Sequence, residues 1–162
     1  GHIDVETELG VGTSFHVYLP LHGEEVGGEP ALPTGELPTG QGETILLVED
    51  QERLREAGHG MLSSLGYRVV TAANGQEAME ILGGMHVDLV VTDVVMPEMG
   101  GKALARALAE TYPHLPAIAV TGYTMRDEIS ELKDMGFAEV LQKPFDGQLL
   151  AEAVGRALGK EI

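Results

Sequence analysis

Three carboxylates, a hydroxyl and an amine stand where apolar runs of this sequence stop. Glu49 and Asp50 follow "TILLV", Asp93 follows "LVVT", Thr121 follows "AIAV" and Lys143 follows "EVLQ". Each alone is ordinary: an acid at a strand end is commonly solvated, Thr-Gly makes a turn, and Lys-Pro ends a strand. Their recurrence at the same kind of boundary, strand after strand, is harder to explain that way. Carboxylates gathered in one crevice repel, and each raises its neighbour's pKa unless a cation intervenes. Oxygen ligands with no His or Cys nearby suit a hard ion, most simply Mg²⁺. A lysine facing the same spot holds a phosphoryl group as a point charge. The set suits the transfer of phosphate onto a carboxylate, with Asp93 as the nucleophile. Behind Asp93, Pro97 and the pair Gly100-Gly101 in "DLVVTDVVMPEMGG" stiffen the loop that frames it.

Such a crevice requires strands in register, and the pattern supplies them. Strands are expected at 44–50, 67–72, 88–93, 116–122 and 138–143, each apolar throughout rather than alternating, as in strands buried on both faces. Helices are expected between them. Leu54, Ala57, Met61, Leu62 and Leu65 recur at helical spacing, although Gly58 and Gly60 weaken that helix. Asn74 with Glu77 three residues on reads as a capping box for the next helix. An alanine-rich helix spans 101–111, another 126–135, and a last one presents Leu149, Leu150, Ala153, Val154, Ala157 and Leu158 on one face. Alternating strands and helices predict an α/β fold, a parallel sheet between helical layers with right-handed crossovers. Sites in such sheets form beyond the carboxyl ends of the strands, where the five candidate residues fall.

The bulk properties narrow the function classes. The 162 residues contain no cysteine, which excludes a disulfide framework and a thiolate metal site and suits a reducing cytoplasm. A net charge of −16 offers no basic stripe to nucleic acid. No apolar run reaches membrane-spanning length, so no membrane contact is expected of this chain. The charge is uneven: residues 1–44 hold eight acids and no Lys or Arg. Residues 22–43, "HGEEVGGEPALPTGELPTGQGE", with three prolines, six glycines and five glutamates, read as a flexible acidic linker. The chain divides accordingly into 1–21, the linker 22–43, and a main domain 44–162. It ends at Ile162 soon after the last expected helix, so no DNA-binding output module is expected within it.

"LLVED", "VVTDVVMPEMGG", "AVTGY" and "LQKPF" together resemble the receiver domain of two-component response regulators, over residues 44–160. The resemblance implies a flavodoxin-like, doubly wound five-stranded parallel sheet of order 2-1-3-4-5 with five helices. It implies that Asp93 is the phosphoacceptor and that Glu49 and Asp50 join it in binding Mg²⁺, with the backbone carbonyl of Val95 completing the protein ligands. It also implies that Thr121 and Lys143 contact the phosphoryl oxygens, and that the Lys143–Pro144 bond is cis. One position departs from the family. Three residues before the lysine an aromatic is common, and here it is Val140, with Phe137 out of register. Residues 1–21, "GHIDVETELGVGTSFHVYLPL", resemble the end of the ATPase domain of sensor histidine kinases, with a glycine-rich turn and a last strand near Ser14 to Leu19. The whole then resembles the C-terminal part of a hybrid histidine kinase. The implied partners are a histidine kinase dimerisation domain, in cis or in trans, and a histidine-phosphotransfer protein.

Other classes fit less well. A haloacid-dehalogenase-like phosphatase wants a second acid two residues after the nucleophile, where Val95 stands. A flavodoxin-like electron carrier needs a phosphate-cradling loop after the first strand, where "EDQERLRE" would repel phosphate. A pseudo-receiver that only docks partners is disfavoured because all five site positions carry competent residues. Val95 and Tyr123 should border the approach of water to an acyl phosphate; Val95 has no group to orient water and the bulky Tyr123 would cover the phosphoryl group, so slow self-dephosphorylation is expected.

Overall fold

The computed structural model describes residues 1–19, 38–122 and 126–160. The chain divides into two compact units, Gly1–Thr34 and Gly35–Ile162. Among the described residues no helix is long and apolar enough to cross a membrane. Residues 22–37 of the expected linker, and Tyr123, lie outside the described residues.

The first unit is an antiparallel hairpin of β1 (His2–Glu8) and β2 (Gly12–Tyr18). One strand was expected and there are two. "HIDVETE" alternates with period two, but five of its seven positions are acidic or polar and the apolar signal is thin. The turn closes through Val11 N–H donating to Glu8 O at 3.1 Å, with Gly10 at φ +83°. The alternation puts Ile3 opposite Val17 and Val5 opposite Phe15 on one face, and all four remain more than half exposed. A two-stranded ribbon is at best marginally stable by itself.

The second unit is the expected sheet. Its five parallel strands are β3 (Thr44–Val48), β4 (Arg68–Ala72), β5 (Leu89–Asp93), β6 (Ala117–Thr121) and β7 (Glu139–Gln142), in the order β4-β3-β5-β6-β7. Counted from β3, this is 2-1-3-4-5. Helices α1 (Glu52–Ser64), α2 (Gly75–Gly84), α3 (Gly101–Thr111), α4 (Arg126–Asp134) and α5 (Gly147–Ala157) make the crossovers. Successive strand residues feed opposite layers. Leu46, Val48, Val90 and Ala119 pack with α2, α3 and α4, through Leu82, Leu104 and Leu132 among others. Ile45, Leu47, Leu89, Val91, Ile118 and Val120 pack with α1 and α5, through Leu62, Leu150 and Val154. Both faces of the sheet are thus buried, which is why its strands read as continuous apolar runs.

Two local features explain sequence choices that propensity alone disfavours. Gly58 sits inside α1, and a Cβ there would lie 2.9 Å from Leu47 Cδ2, so the glycine lets the helix approach the sheet. The predicted capping box forms with a shift: Asn74 Oδ1 accepts from Glu77 N–H at 2.9 Å, while Glu77 Oε2 accepts from Ala73 N–H at 2.7 Å rather than from Asn74.

Residues 38–43, assigned by composition to the flexible linker, make specific contacts with the sheet domain. Pro38 is buried, and Gly40 N–H donates to Leu65 O at 2.7 Å. A Cβ on Gly40 would fall 2.5 Å from the carbonyl carbon and oxygen of Gly66. Lys160 Nζ donates to Thr39 O at 2.7 Å, pairs with Glu43 at 2.7 Å and lies 4.9 Å from the centroid of the Tyr67 ring. Burial alone would raise the Glu43 carboxyl, but Lys160 and the neighbouring backbone N–H groups outweigh it and hold it below its usual range. Composition marks Gly and Pro as linker material; it does not reveal a glycine chosen for close backbone approach.

Candidate functional site

The strand ends deliver the candidate residues to one edge of the sheet. Glu49 and Asp50 follow β3, and Glu49 N–H is anchored to Ala72 O at the end of β4, 3.1 Å away. Asp93 is the last residue of β5 and Thr121 the last of β6; Glu49, Asp93 and Thr121 are all buried. Lys143 follows β7, and its N–H donates to Thr121 O at 2.7 Å. The Lys143–Pro144 bond is cis, as expected.

The charged groups interlock. Lys143 Nζ donates to Asp93 Oδ2 at 2.5 Å and to Glu49 Oε2 at 3.0 Å. Val95 N–H donates to the other Asp93 oxygen, Oδ1, at 2.8 Å. Each oxygen of Asp93 therefore has a donor, one of them cationic. Gln51 N–H reaches Glu49 Oε1 at 3.3 Å. Burial pushes the Glu49 carboxyl above its ordinary pKa, and the Asp93 charge adds to this against the opposing pull of Lys143 and Gln51 N–H. Burial would lower Lys143, but hydrogen bonds to Asp93 and Glu49 outweigh it and raise the ammonium pKa. Lys143 thus serves two carboxylates at once, and Asp50, half-buried, stands next in the chain.

Among the described residues no three His, Cys, Asp or Glu side chains form a ready-made cation cage, and Lys143 bridges Glu49 and Asp93. The donor chemistry still fits Mg²⁺. The available groups are oxygens, burial and then the neighbouring Asp93 charge raise the Glu49 carboxyl, and Mg²⁺ retains several waters and takes few protein ligands.

Sequence reasoning missed several supporting residues. Arg55 on α1 donates from Nη1 to the backbone oxygens of Glu49 at 2.7 Å and Asp50 at 3.2 Å, pinning the acidic pair from below. Its position four after Gln51 gave no cue beyond a charge on a helix. Gly101, the buried first residue of α3, would place a Cβ 2.5 Å from Asp93 O. The sequence shows the glycine pair only as a stiffener of the loop; its packing against the acceptor strand is a tertiary contact. Val95 is 78% exposed beside the site. Val140 lies half-buried in β7, and Phe137 is buried in the core before that strand begins. An apolar groove of about 310 Å³ runs from Glu49, Asp93 and Lys143 along α1, past Leu54, Gly58 and Met61.

Known proteins share this arrangement. The sequence pattern of the family described as response regulator receiver domain matches residues 45–155. The sensor kinase CckA of Brucella abortus is 39% identical over 99% of this chain, which spans 18% of that protein. The response regulator protein FleR of Pseudomonas aeruginosa is 38% identical over 72% of this chain and 25% of its own length. The chain thus spans a quarter or less of these relatives. Among solved structures, the signal receiver domain of a signal transduction histidine kinase from Syntrophus aciditrophicus superposes with TM-score 0.66 at 32% identity, over 72% of this chain and 90% of that one. Chemotaxis protein CheY4 of Vibrio cholerae gives 0.69 at 30% identity, over 72% and 99%. A sheet of the same order, the strand-end residues that the resemblance rests on, and a family match across more than half its length place this chain in the response regulator receiver domain family of two-component signalling.

Proposed function

We propose that this chain is a phosphoryl-accepting receiver in a phosphorelay, with Asp93 taking phosphate from a phospho-histidine. The observation that carries the reading is the double anchoring of a buried strand-end carboxylate, Oδ2 on Lys143 and Oδ1 on Val95 N–H. An Asp93 oxygen attacks phosphorus, the P–N bond to the donor imidazole breaks, and its electron pair leaves with the imidazole nitrogen. The product is an acyl phosphate. Lys143 moves from the carboxylates to the incoming phosphoryl oxygens, whose charge it offsets. The Thr121 hydroxyl serves a further phosphoryl oxygen. Glu49, Asp50, Asp93 and the Val95 carbonyl would hold Mg²⁺, which when bound supplies charge neutralisation at the phosphoryl group.

The groove beside the site suits a helical donor. Leu54 and Met61, 43% and 37% exposed on α1, offer an apolar strip leading to Asp93. A histidine kinase dimerisation domain or a histidine-phosphotransfer protein would present its histidine from such a helix. The CckA and LuxN relatives, both named as sensor kinases and matched over 99% of this chain, support a parent that is a hybrid kinase. In that parent, residues 1–21 would close its ATPase domain, 22–43 would connect it, and 44–162 would be the receiver, in the cytoplasm.

The test is phosphorylation by acetyl phosphate or a phospho-histidine donor, read by intact mass. Wild type should gain one phosphoryl group in the presence of Mg²⁺ and lose the gain with chelator. Asp93→Asn, which keeps the volume and removes the attacking oxygen, should gain none. An undiminished adduct on that variant would exclude Asp93 as the acceptor, and a wild type that takes no phosphate would favour a docking module.

A further inference from the structure

The turn between β4 and α2 touches both halves of the acidic site without belonging to it. At its start, Ala72 O accepts from Glu49 N–H at 3.1 Å. Two residues on, the Asn74 amide splits its work. Oδ1 accepts from Glu77 N–H at 2.9 Å and caps α2, while Nδ2 donates to Glu98 Oε2 at 3.0 Å, across to the loop that follows Asp93. Next, Gly75 N–H donates to Met99 O at 2.9 Å, and a Cβ on Gly75 would stand 2.7 Å from Met99 Cγ and O. Glu98 has φ +61° and is the only non-glycine residue among those described with positive φ. A glutamate there carries a backbone cost that an external contact must offset.

We propose that Asn74 is a positioning residue for phosphoryl transfer: its Nδ2 holds Glu98, and through it the loop 94–99 that orients Asp93. This rests on the reading of Asp93 as acceptor. The loop is where position matters, because Val95 N–H binds Asp93 Oδ1 and the Val95 carbonyl is the proposed backbone ligand. With Glu98 held in its left-handed conformation, the peptides between Asp93 and Met99 have fixed ends on both sides: Val94 N–H on Val120 O at 2.9 Å, and Met99 O on Gly75. Capping alone does not require asparagine, since Asp, Ser and Thr cap as well. Capping α2 while donating to Glu98 requires an acceptor and a donor on separate atoms of one side chain, which the amide has, whereas an ionised Asp has no donor and Ser or Thr has a single oxygen for both tasks.

The two functions of the amide can be separated. Asn74→Asp keeps a capping oxygen, loses the donor and sets two carboxylates against each other. Glu98→Gln leaves an acceptor for Asn74. The double variant Asn74→Asp/Glu98→Gln restores one hydrogen bond, with the donor moved to residue 98. The readouts are Mg²⁺ affinity by calorimetric titration, phosphorylation rate with acetyl phosphate, amide exchange of residues 94–99, and melting.

Asn74→Asp should melt close to wild type, exchange faster through 94–99, and lose about tenfold in Mg²⁺ affinity and in rate, as supporting residues around metal sites do. Glu98→Gln should stay near wild type, and the double variant should recover both affinity and exchange protection. A double variant no better than Asn74→Asp, or an Asn74→Asp that binds Mg²⁺ as wild type does, would overturn the proposal. A wild type that binds neither Mg²⁺ nor phosphate would instead overturn the acceptor reading on which it rests.

Discussion

Replacing Gly101 by alanine adds one methyl group against the phosphoacceptor strand. The Cβ would lie 2.5 Å from Asp93 O and 2.9 Å from Val94 Cα. Even a weak C–H···O contact needs about 3.3 Å between carbon and oxygen, so α3 or the end of β5 must retreat by roughly 0.8 Å. Overpacking of this kind costs about 1–3 kcal/mol, which exceeds the gain of up to about 1 kcal/mol from replacing glycine in a helix. The retreat falls on the carboxylate itself. A misplacement near 1 Å can cost about a hundredfold in rate, so phosphorylation should slow by about 10- to 100-fold. Gly60 is the control: it is exposed inside α1 with nothing within 4 Å of an added Cβ. Gly60→Ala should stabilise by roughly 0.5–1 kcal/mol and leave phosphorylation unchanged. Urea unfolding and intact-mass time courses with acetyl phosphate read both quantities. Equal stability and equal rate for Gly101→Ala and wild type would refute the claim that this glycine exists for close approach to Asp93.

Glu49 has a raised carboxyl pKa, so its contribution to stability is present below the ordinary Glu range and is lost as pH rises through the raised value. Metal-free wild type should therefore lose stability over that interval and Glu49→Gln should not; melts across the pH series that differ by a constant amount would contradict this. Mg²⁺ at a hundred times its Kd should stabilise wild type by about 2.7 kcal/mol. Asp50→Ala should shrink the gain in thermal melts, and an equal response of both proteins would remove Asp50 from the metal site. Gly40→Ala should cost about 1–3 kcal/mol in urea unfolding, because its Cβ would meet Gly66 at 2.5 Å. Wild-type stability there would show that residues 38–43 are a mere tether.

The parts of this fold that were legible in the sequence are those set by one-dimensional pattern. Continuous apolar runs located β3 to β7 to within a residue or two, because strands buried on both faces are apolar at most positions rather than at every second one. The five strand-end residues followed from the same boundaries, and four of them meet through Lys143: it bonds Asp93 and Glu49 by side chain and Thr121 by backbone. What escaped depends on contacts between distant segments. Gly40 looks like linker material and Gly101 like part of a stiff loop, yet an added Cβ at either would fall 2.5 Å from backbone atoms, while at Gly58, which looks like a helix breaker, it would meet the end of the Leu47 side chain at 2.9 Å. Arg55 and Asn74 look like an exposed charge and a helix cap; their second hydrogen bonds go to backbone and loop atoms that only the folded chain brings near. β1 was missed because its alternation is short and half acidic.

Asp93 should carry the phosphoryl group in a crevice formed by Glu49, Asp50, Thr121 and Lys143. A crystal structure with Mg²⁺ and beryllofluoride, an acyl-phosphate mimic, tests it most directly. Beryllium should be bonded to an Asp93 oxygen, Mg²⁺ should bind Glu49, Asp50, Asp93 and the Val95 carbonyl with water completing its shell, and Lys143 Nζ should leave Glu49 for a fluorine. Beryllofluoride bound at any other carboxylate, or an Asp93 still held by Lys143 with no adduct at saturating concentrations, would contradict it.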